Sequence, residues 1–184
     1  MSDLRRRLVQ PLLAALALAA LVASVSACGY VSHEKDVVEG EPVELGELDY
    51  NLIFSRYLNP NDTEDSAYLV GQVPPPPATT YFGVFFEVQN ETDEAKPLPD
   101  KFTIKDSGHE LFESLESESL YAFPLGGEVE EHEQIPVLDS PPEQGPIEGS
   151  VVLFPLPDDA SQKRPLILEI HSPDGETGEV ELDL

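Results

Sequence analysis

The sequence predicts an all-β protein, a sandwich of about seven to eight short antiparallel strands. Apolar residues recur at every second position in several separate runs, which is the period of a strand that buries one face. Clusters of Pro, Gly, Asn and Asp separate these runs, and the chain contains 18 Pro and 12 Gly. No helical repeat stands out beyond an apolar segment near the N terminus. Together these features favour two packed sheets over any helical architecture.

The first and strongest predicted strands lie before residue 90. In the first, Leu48, Tyr50, Leu52 and Phe54 alternate with other side chains and predict one buried face. The strongest strand covers 79–89, where Phe and Val residues line one face and Tyr81 and Phe85 make the other apolar. A strand that is apolar on both faces is typical of the centre of a core. Further strands are predicted at 102–104, 110–112, 133–138, 147–153, 166–170 and 180–184.

The connections carry their own predictions. Residues 68–73 are expected to form a short edge segment, and Pro74–Pro77 a stiff extended loop, because proline cannot donate to a sheet ladder. A proline-recognition ligand is the functional alternative for this tract. Pro155 and Pro157 are expected to end the strand that starts near Ile147, and 106–109 carries the turn residues of a hairpin.

The charge of the chain excludes some partners. Its 184 residues contain 36 Asp and Glu but only 10 Lys and Arg, a formal net charge of −26. Nucleic-acid binding requires a basic surface that replaces phosphate counterions. Direct attraction to anionic lipid headgroups also requires a basic surface. We therefore expect no nucleic-acid partner and no electrostatic membrane binding.

The N terminus has the order of a secretory signal. Arg5–Arg7 precede an apolar run at 12–25 that is shorter than the roughly 20 residues of a bilayer-spanning helix. The following residues, Val25 to Cys28, resemble the bacterial lipobox, whose cysteine receives diacylglycerol through a thioether before cleavage on its N-terminal side. The general secretory route is the favoured means of export, and the twin-arginine route is the alternative. A permanent membrane helix and a buried free cysteine are the alternatives to lipidation at Cys28.

These signals divide the chain into three parts. Residues 1–27 form a lipoprotein signal peptide, 28–45 a lipidated N terminus with an acidic tether, and 46–184 the β-sandwich domain. Because Cys28 is the only cysteine, its lipidation would leave no thiol for disulfide or zinc chemistry. The expected location is the extracytoplasmic face of the cell membrane, reached through lipid on Cys28.

Three strand motifs carry a resemblance to a known family. They are Gly-x-Leu-x-Tyr at 46–50, Tyr-Phe-x-Val-x-Phe-x-Val-x-Asn at 81–90, and Gly-x-Val-x-Leu-Phe-Pro at 149–155. Over roughly 46–184 the chain resembles the immunoglobulin-like bacterial lipoproteins that carry domain of unknown function 4352. The resemblance implies an immunoglobulin-like sandwich and a membrane address, and it implies no activity. The proline tract and the high acidity depart from the pattern.

Residues with catalytic potential are sparse. The sequence contains no nucleophile elbow, phosphate-binding loop, dinucleotide glycine motif or zinc-protease motif, so we expect no enzyme and no cofactor. One dense cluster, with Glu130, Glu131, His132 and Glu133, has the composition of a cation site. Alternation along a strand would place His132 on the opposite face from Glu131 and Glu133. A solvated acidic edge is therefore the favoured interpretation, with cation binding as the alternative.

The functional prediction that remains is a non-catalytic binding or interaction module. Its partner would be a protein or another component of the envelope, and Tyr57, Tyr68 and Tyr121 are the candidate contact residues. The alternative is a structural, chaperone-like or cation-responsive envelope protein.

Overall fold

The computed structural model of the protein describes residues 35–183, so the predicted signal peptide and Cys28 lie outside the described residues. Over this range the chain forms twelve strands, one short α-helix and one 3₁₀ turn. No helix within 35–183 has the length and apolarity that crossing a bilayer would need. The strands are β1 Lys35–Val38, β2 Val43–Leu45, β3 Leu48–Tyr57, β4 Thr79–Gln89, β5 Lys96–Pro97, β6 Phe102–Lys105, β7 Leu111–Glu113, β8 Glu128–Val129, β9 Gln134–Ile135, β10 Ser150–Pro157, β11 Ile167–His171 and β12 Thr177–Glu181. The helix α1 is Thr63–Tyr68, and the 3₁₀ turn is Ala160–Gln162.

The strands form two main sheets and one small one. The first sheet has the order β1-β12-β11-β6-β7 and the second β10-β4-β3-β2, with β9 added to the end of β4. β5 and β8 pair separately. The predicted all-β sandwich is confirmed, and the strand count exceeds the predicted seven to eight because several strands have only two to four residues. The pairing of β1 with β12 is parallel, whereas every other pairing among the described strands is antiparallel.

The central position predicted for β4 is confirmed. Six consecutive residues from Tyr81 to Phe86 are buried, so this strand contributes to a core on both of its faces. On one face Phe86 lies 5.1 Å from Phe102 of the first sheet, measured between ring centroids, and Phe102 lies 5.2 Å from Phe123. These contacts fill the space between the sheets, where apolar burial is the main stabilising term.

The predicted alternation in β3 is correct only for its first half. Leu48, Tyr50 and Leu52 are buried as predicted, whereas Phe54 is 43% exposed and Ser55 takes the buried position. The pairing of β3 with β4 shifts between Leu52 and Phe54, which marks a β-bulge. An extra residue in one strand reverses the face of every residue after it, and periodicity alone does not reveal the insertion.

The predicted tether at 28–45 overlaps with ordered strands. β1 and β2 both lie before residue 46, and Val43 and Leu45 are buried in the main core. The Glu39 carboxylate accepts hydrogen bonds from the backbone N–H and hydroxyl of Ser55 and from the backbone N–H of Asp183. The folded domain therefore begins before residue 46, and the high charge of this segment concealed two strands.

The edge segment expected at 68–73 needs correction. These residues are instead the last residue of α1 and the loop that follows it. The apolar residues of this stretch pack beside a helix, and so short a run does not distinguish a strand from a helix end.

The prediction that Pro155 ends its strand is wrong, because β10 continues through Pro155, whereas Pro157 is the last residue of β10 as predicted. In this strand the backbone groups of Val151 and Leu153 bond outward to residues 115–123 and not toward β4. Alternate residues of a strand direct their backbone groups to the same side, so the two prolines fall where β4 needs no donor.

Candidate functional site

Two connecting segments contribute residues to the outer face of the second sheet: Leu58, Tyr68 and Leu69 from one, and Leu115, Tyr121 and Ile147 from the other. They form a second hydrophobic cluster with β4 and β10. Tyr68 of α1 stacks edge-on against Phe85 at 5.1 Å and against Tyr121 at 5.2 Å. This cluster explains why the face of β4 that points away from the first sheet is apolar and carries Tyr81 and Phe85.

The helix α1 is fixed in place by side-chain contacts. The Asp62 side chain caps its N terminus by accepting from the backbone N–H groups of Glu64 and Asp65. Asp65 is buried and accepts from the backbone N–H of Asn59 at 2.7 Å, while Arg56 forms ion pairs with Glu64 and Asp65. The chain around Pro60 therefore has a defined position relative to β3.

An apolar cleft of about 250 Å³ lies between α1, the proline loop and the start of β4. Two polar side chains, Ser66 and Gln72, complete its lining. The apolar lining comes from three separate parts of the chain: Pro60, Leu69, Val73, Pro74, Pro75 and Tyr81. Val73 is 73% exposed, so its side chain is accessible at the rim.

The cleft is held in shape by hydrogen bonds on two sides. The Tyr81 hydroxyl donates to the carbonyl oxygen of Val73 at 2.5 Å, and the Gln72 side chain donates to the carbonyl oxygen of Glu116 at 2.8 Å. The Ser119 hydroxyl donates to the carbonyl oxygen of Ala67 at 2.8 Å. Consecutive prolines restrict the φ angles of 74–77. A preformed apolar recess loses little conformational entropy when a ligand binds.

The acidic cluster at 130–133 lies in an exposed turn between β8 and β9. Glu130, Glu131, His132 and Glu133 are all exposed, and His132 pairs with Asp93 at 3.0 Å. Within residues 35–183 no three His, Cys, Asp or Glu side chains come together in a way that could hold a metal ion. The arrangement of these side chains is that of a solvated acidic surface.

Asn90, the last residue of the second strand motif, has a structural role beside this turn. Its buried side-chain amide lies 2.8–3.0 Å from the carbonyl oxygens of Glu94, Val129 and Glu130. Its side-chain oxygen accepts from the backbone N–H and the hydroxyl of Thr92. The Val-x-Asn ending of this strand therefore joins two loops through the Asn90 side chain.

The three tyrosines predicted as contact residues differ in accessibility. Tyr68 is 1% exposed, so it supports the cluster beneath the cleft instead of contacting a partner. Burial raises the pKa of Tyr68 to about 12, and the Glu64 carboxylate adds to the rise. Tyr57 and Tyr121 are partly buried, and Tyr57 packs edge-on against Phe82 at 5.1 Å.

Sequence reasoning missed the cleft because its lining residues are far apart in the chain. A signal for it was nevertheless present: Leu69, Val70 and Val73 directly precede the proline tract. Apolar side chains that flank a stiff proline loop outside a sheet are candidates to line a surface recess.

Comparison with known proteins supports the fold and leaves function open. No protein-family model matches the chain, and no curated protein matches it. An uncharacterized β-sandwich protein from Clostridium difficile 630 aligns with a TM-score of 0.51 at 13% identity, covering 83% of this chain and 97% of that one. The yjhA protein from Bacillus subtilis aligns with a TM-score of 0.54 at 12% identity, covering 80% and 99% respectively. At this identity the similarity shows a shared fold.

Proposed function

We propose that the chain is a lipid-anchored extracytoplasmic lipoprotein whose β-sandwich is a non-catalytic binding module. The observation that carries the binding role is the cleft bounded by Pro60, Val73 and Tyr81, an apolar recess that is open to solvent and held by hydrogen bonds. Apolar recesses with a few fixed polar groups are typical binding sites. The membrane anchor rests on the lipobox-like sequence that ends at Cys28.

The start of β1 sets the distance between this anchor and the domain. Lys35 follows Cys28 by seven positions in the sequence, and a chain of that length spans at most about 25 Å. A lipid on Cys28 would therefore hold the β1 end of the sandwich close to the bilayer, whereas a flexible tether to residue 45 would permit a larger separation.

The cleft lies at the other end of the sandwich. β1 starts opposite Gly178, next to the turn at 172–176, and this turn contacts Gly46 just before β3. β3 runs from that end to Tyr57, which pairs with Phe82 near the start of β4. The cleft at Tyr81 would consequently be directed away from the bilayer, where an envelope partner can reach it.

The anchor is tested by cell fractionation and acyl labelling. Cys28→Ala should abolish incorporation of labelled fatty acid and release the protein from the membrane fraction. Ser26→Ala is the matched control, because it keeps a small residue in the lipobox-like sequence and should leave labelling intact. Continued membrane retention of Cys28→Ala would contradict the lipid anchor.

The binding role is tested by cross-linking in the intact envelope. Val73→Ser removes apolar surface from the rim of the cleft, so it should reduce the cross-linked products. Val137→Ser serves as the control, since Val137 is also exposed but follows β9 at the opposite end of β4. Equal products from wild type and Val73→Ser would argue against binding at the cleft.

A further inference from the structure

The charges around the cleft are distributed unevenly compared with the rest of the domain. The chain stretches next to the cleft, 58–78 and 114–122, together contain five Asp and Glu and no Lys or Arg. The nearest cation in sequence, Arg56, is already paired with Glu64 and Asp65. A cationic ligand at this face would therefore meet no repelling Lys or Arg side chain from either segment.

Two glutamates of the second segment lie beside the cleft. The backbone of Glu116 accepts the hydrogen bond from Gln72, which lines the cleft. A carboxylate oxygen of Glu118 lies 3.0 Å from the position that a Cβ atom on Gly71 would occupy, between the lining residues Leu69 and Gln72. Both Glu116 and Glu118 are exposed, so their side chains are accessible to a ligand at the cleft.

Three exposed apolar side chains lie on the same two stretches. Val70 is 50% exposed, Val73 is 73% exposed and Leu120 is 78% exposed. An exposed apolar patch with a charged rim is characteristic of protein interaction surfaces. A partner surface complementary to this patch would combine apolar side chains with positive charge.

We infer that the cleft binds a basic, apolar peptide segment of a partner protein, with apolar side chains entering between Val73, Pro74 and Tyr81. Lysine or arginine residues of the same segment would lie against Glu116 and Glu118. This inference rests on the proposed binding role and adds the chemical class of the partner. Electrostatic complementarity of this kind accelerates association and selects against acidic partners.

The test uses the full-length protein and two fluorescein-labelled peptides. One peptide alternates leucine and lysine, and the other has glutamate in place of each lysine. Fluorescence anisotropy should show binding of the lysine peptide that weakens with added salt, while the glutamate peptide should bind at least about tenfold more weakly.

Matched variants separate binding at the cleft from general attraction to an acidic protein. Val73→Ser should lower the affinity for the lysine peptide about fivefold or more, and Val137→Ser should leave this affinity unchanged. The double variant Glu116→Gln, Glu118→Gln should also lower the affinity for the lysine peptide. The double variant Glu130→Gln, Glu131→Gln removes the same charge away from the cleft and should have a smaller effect. Circular dichroism of each variant verifies folding.

The outcomes separate failure of the basic-peptide inference from failure of the proposed binding role on which it rests. Equal loss with both double variants, or no binding of the lysine peptide, would overturn the assignment of a basic partner. If Val73-dependent cross-linking in the envelope persists in that case, the binding role stands with another partner class.

Discussion

The Tyr81 hydroxyl donates a hydrogen bond to the carbonyl oxygen of Val73 and thereby joins the proline loop to the central strand. Tyr81→Phe removes this donor and keeps the ring, which is 6% exposed. We expect a loss of about 1 kcal/mol in unfolding free energy and faster amide exchange at residues 70–73. Chemical denaturation and hydrogen exchange measure the two effects.

The control for this prediction is Tyr121→Phe, which removes a hydroxyl from the same cluster away from the proline loop. Exchange at 70–73 should stay at the wild-type rate in this variant. Exchange that is equally slow in Tyr81→Phe and wild type would show that the prolines and the Gln72 hydrogen bond hold the loop without the Tyr81 hydroxyl.

Asn90 gives a second prediction, because its side-chain amide serves two loops at once. Asn90→Asp replaces the amide by a carboxylate that cannot donate to the carbonyl groups of Glu94, Val129 and Glu130. We expect a loss of about 3 kcal/mol or more, since buried carbonyl groups lose their donor and face a negative charge. Urea denaturation measures it.

Asn51→Asp provides the comparison for Asn90. The Asn51 amide donates to the Glu87 carboxylate, at 3.2 Å on a partly exposed face of the sheet. This variant should lose about 1 kcal/mol. Similar losses for the two variants would mean that the three carbonyl contacts of Asn90 add little to stability.

Lys105 gives a third prediction, because it separates two carboxylates on neighbouring strands. Glu169 and Glu179 are directly paired across β11 and β12, and Lys105 lies 2.8 Å from each. Their hydrogen bonds raise the pKa of Lys105. Lys105→Met should cost about 1–2 kcal/mol, because like charges opposite each other in a sheet repel. Thermal denaturation at neutral pH and low salt measures the loss.

Lys101→Met is the control for Lys105→Met, because it removes the same charge from an ion pair that is more exposed to solvent. Lys101 and Glu113 lie 3.2 Å apart and are both largely solvent-accessible. The expected loss is below about 0.5 kcal/mol. If the two lysine variants lose the same stability, net charge and not the pairing at Glu169 and Glu179 explains the effect.

The fold was predictable where the sequence pattern coincides with local geometry. β4 is apolar on both faces and occupies the centre of the core, and the turn at 106–109 joins β6 and β7. The second half of β3 was not predictable, because the bulge before Phe54 reverses the exposed face. β1 was not predictable either, since its pairing with β12 joins residues as distant in sequence as Lys35 and Gly178.

The candidate site was less predictable than the fold for a related reason. Pro60, Val73 and Tyr81 belong to three separate parts of the chain, and only tertiary packing brings them together. The most prominent sequence cluster, Glu130 to Glu133, is a solvated turn among the described residues. Composition identifies residues of suitable chemistry, whereas a recess depends on which chain segments converge.

The last prediction concerns alkaline pH and Tyr68. The pKa of Tyr68 is about 12 in the folded chain, against about 10 for an exposed tyrosine, so its contribution to stability is complete below about pH 10 and is lost as pH rises toward 12. Tyr68→Phe should therefore reduce the fall in urea midpoint between about pH 9 and 11.5. At about pH 7 it should be as stable as wild type or more stable, because the hydroxyl is buried without a hydrogen-bond partner among residues 35–183. An unchanged slope in Tyr68→Phe would contradict the assignment.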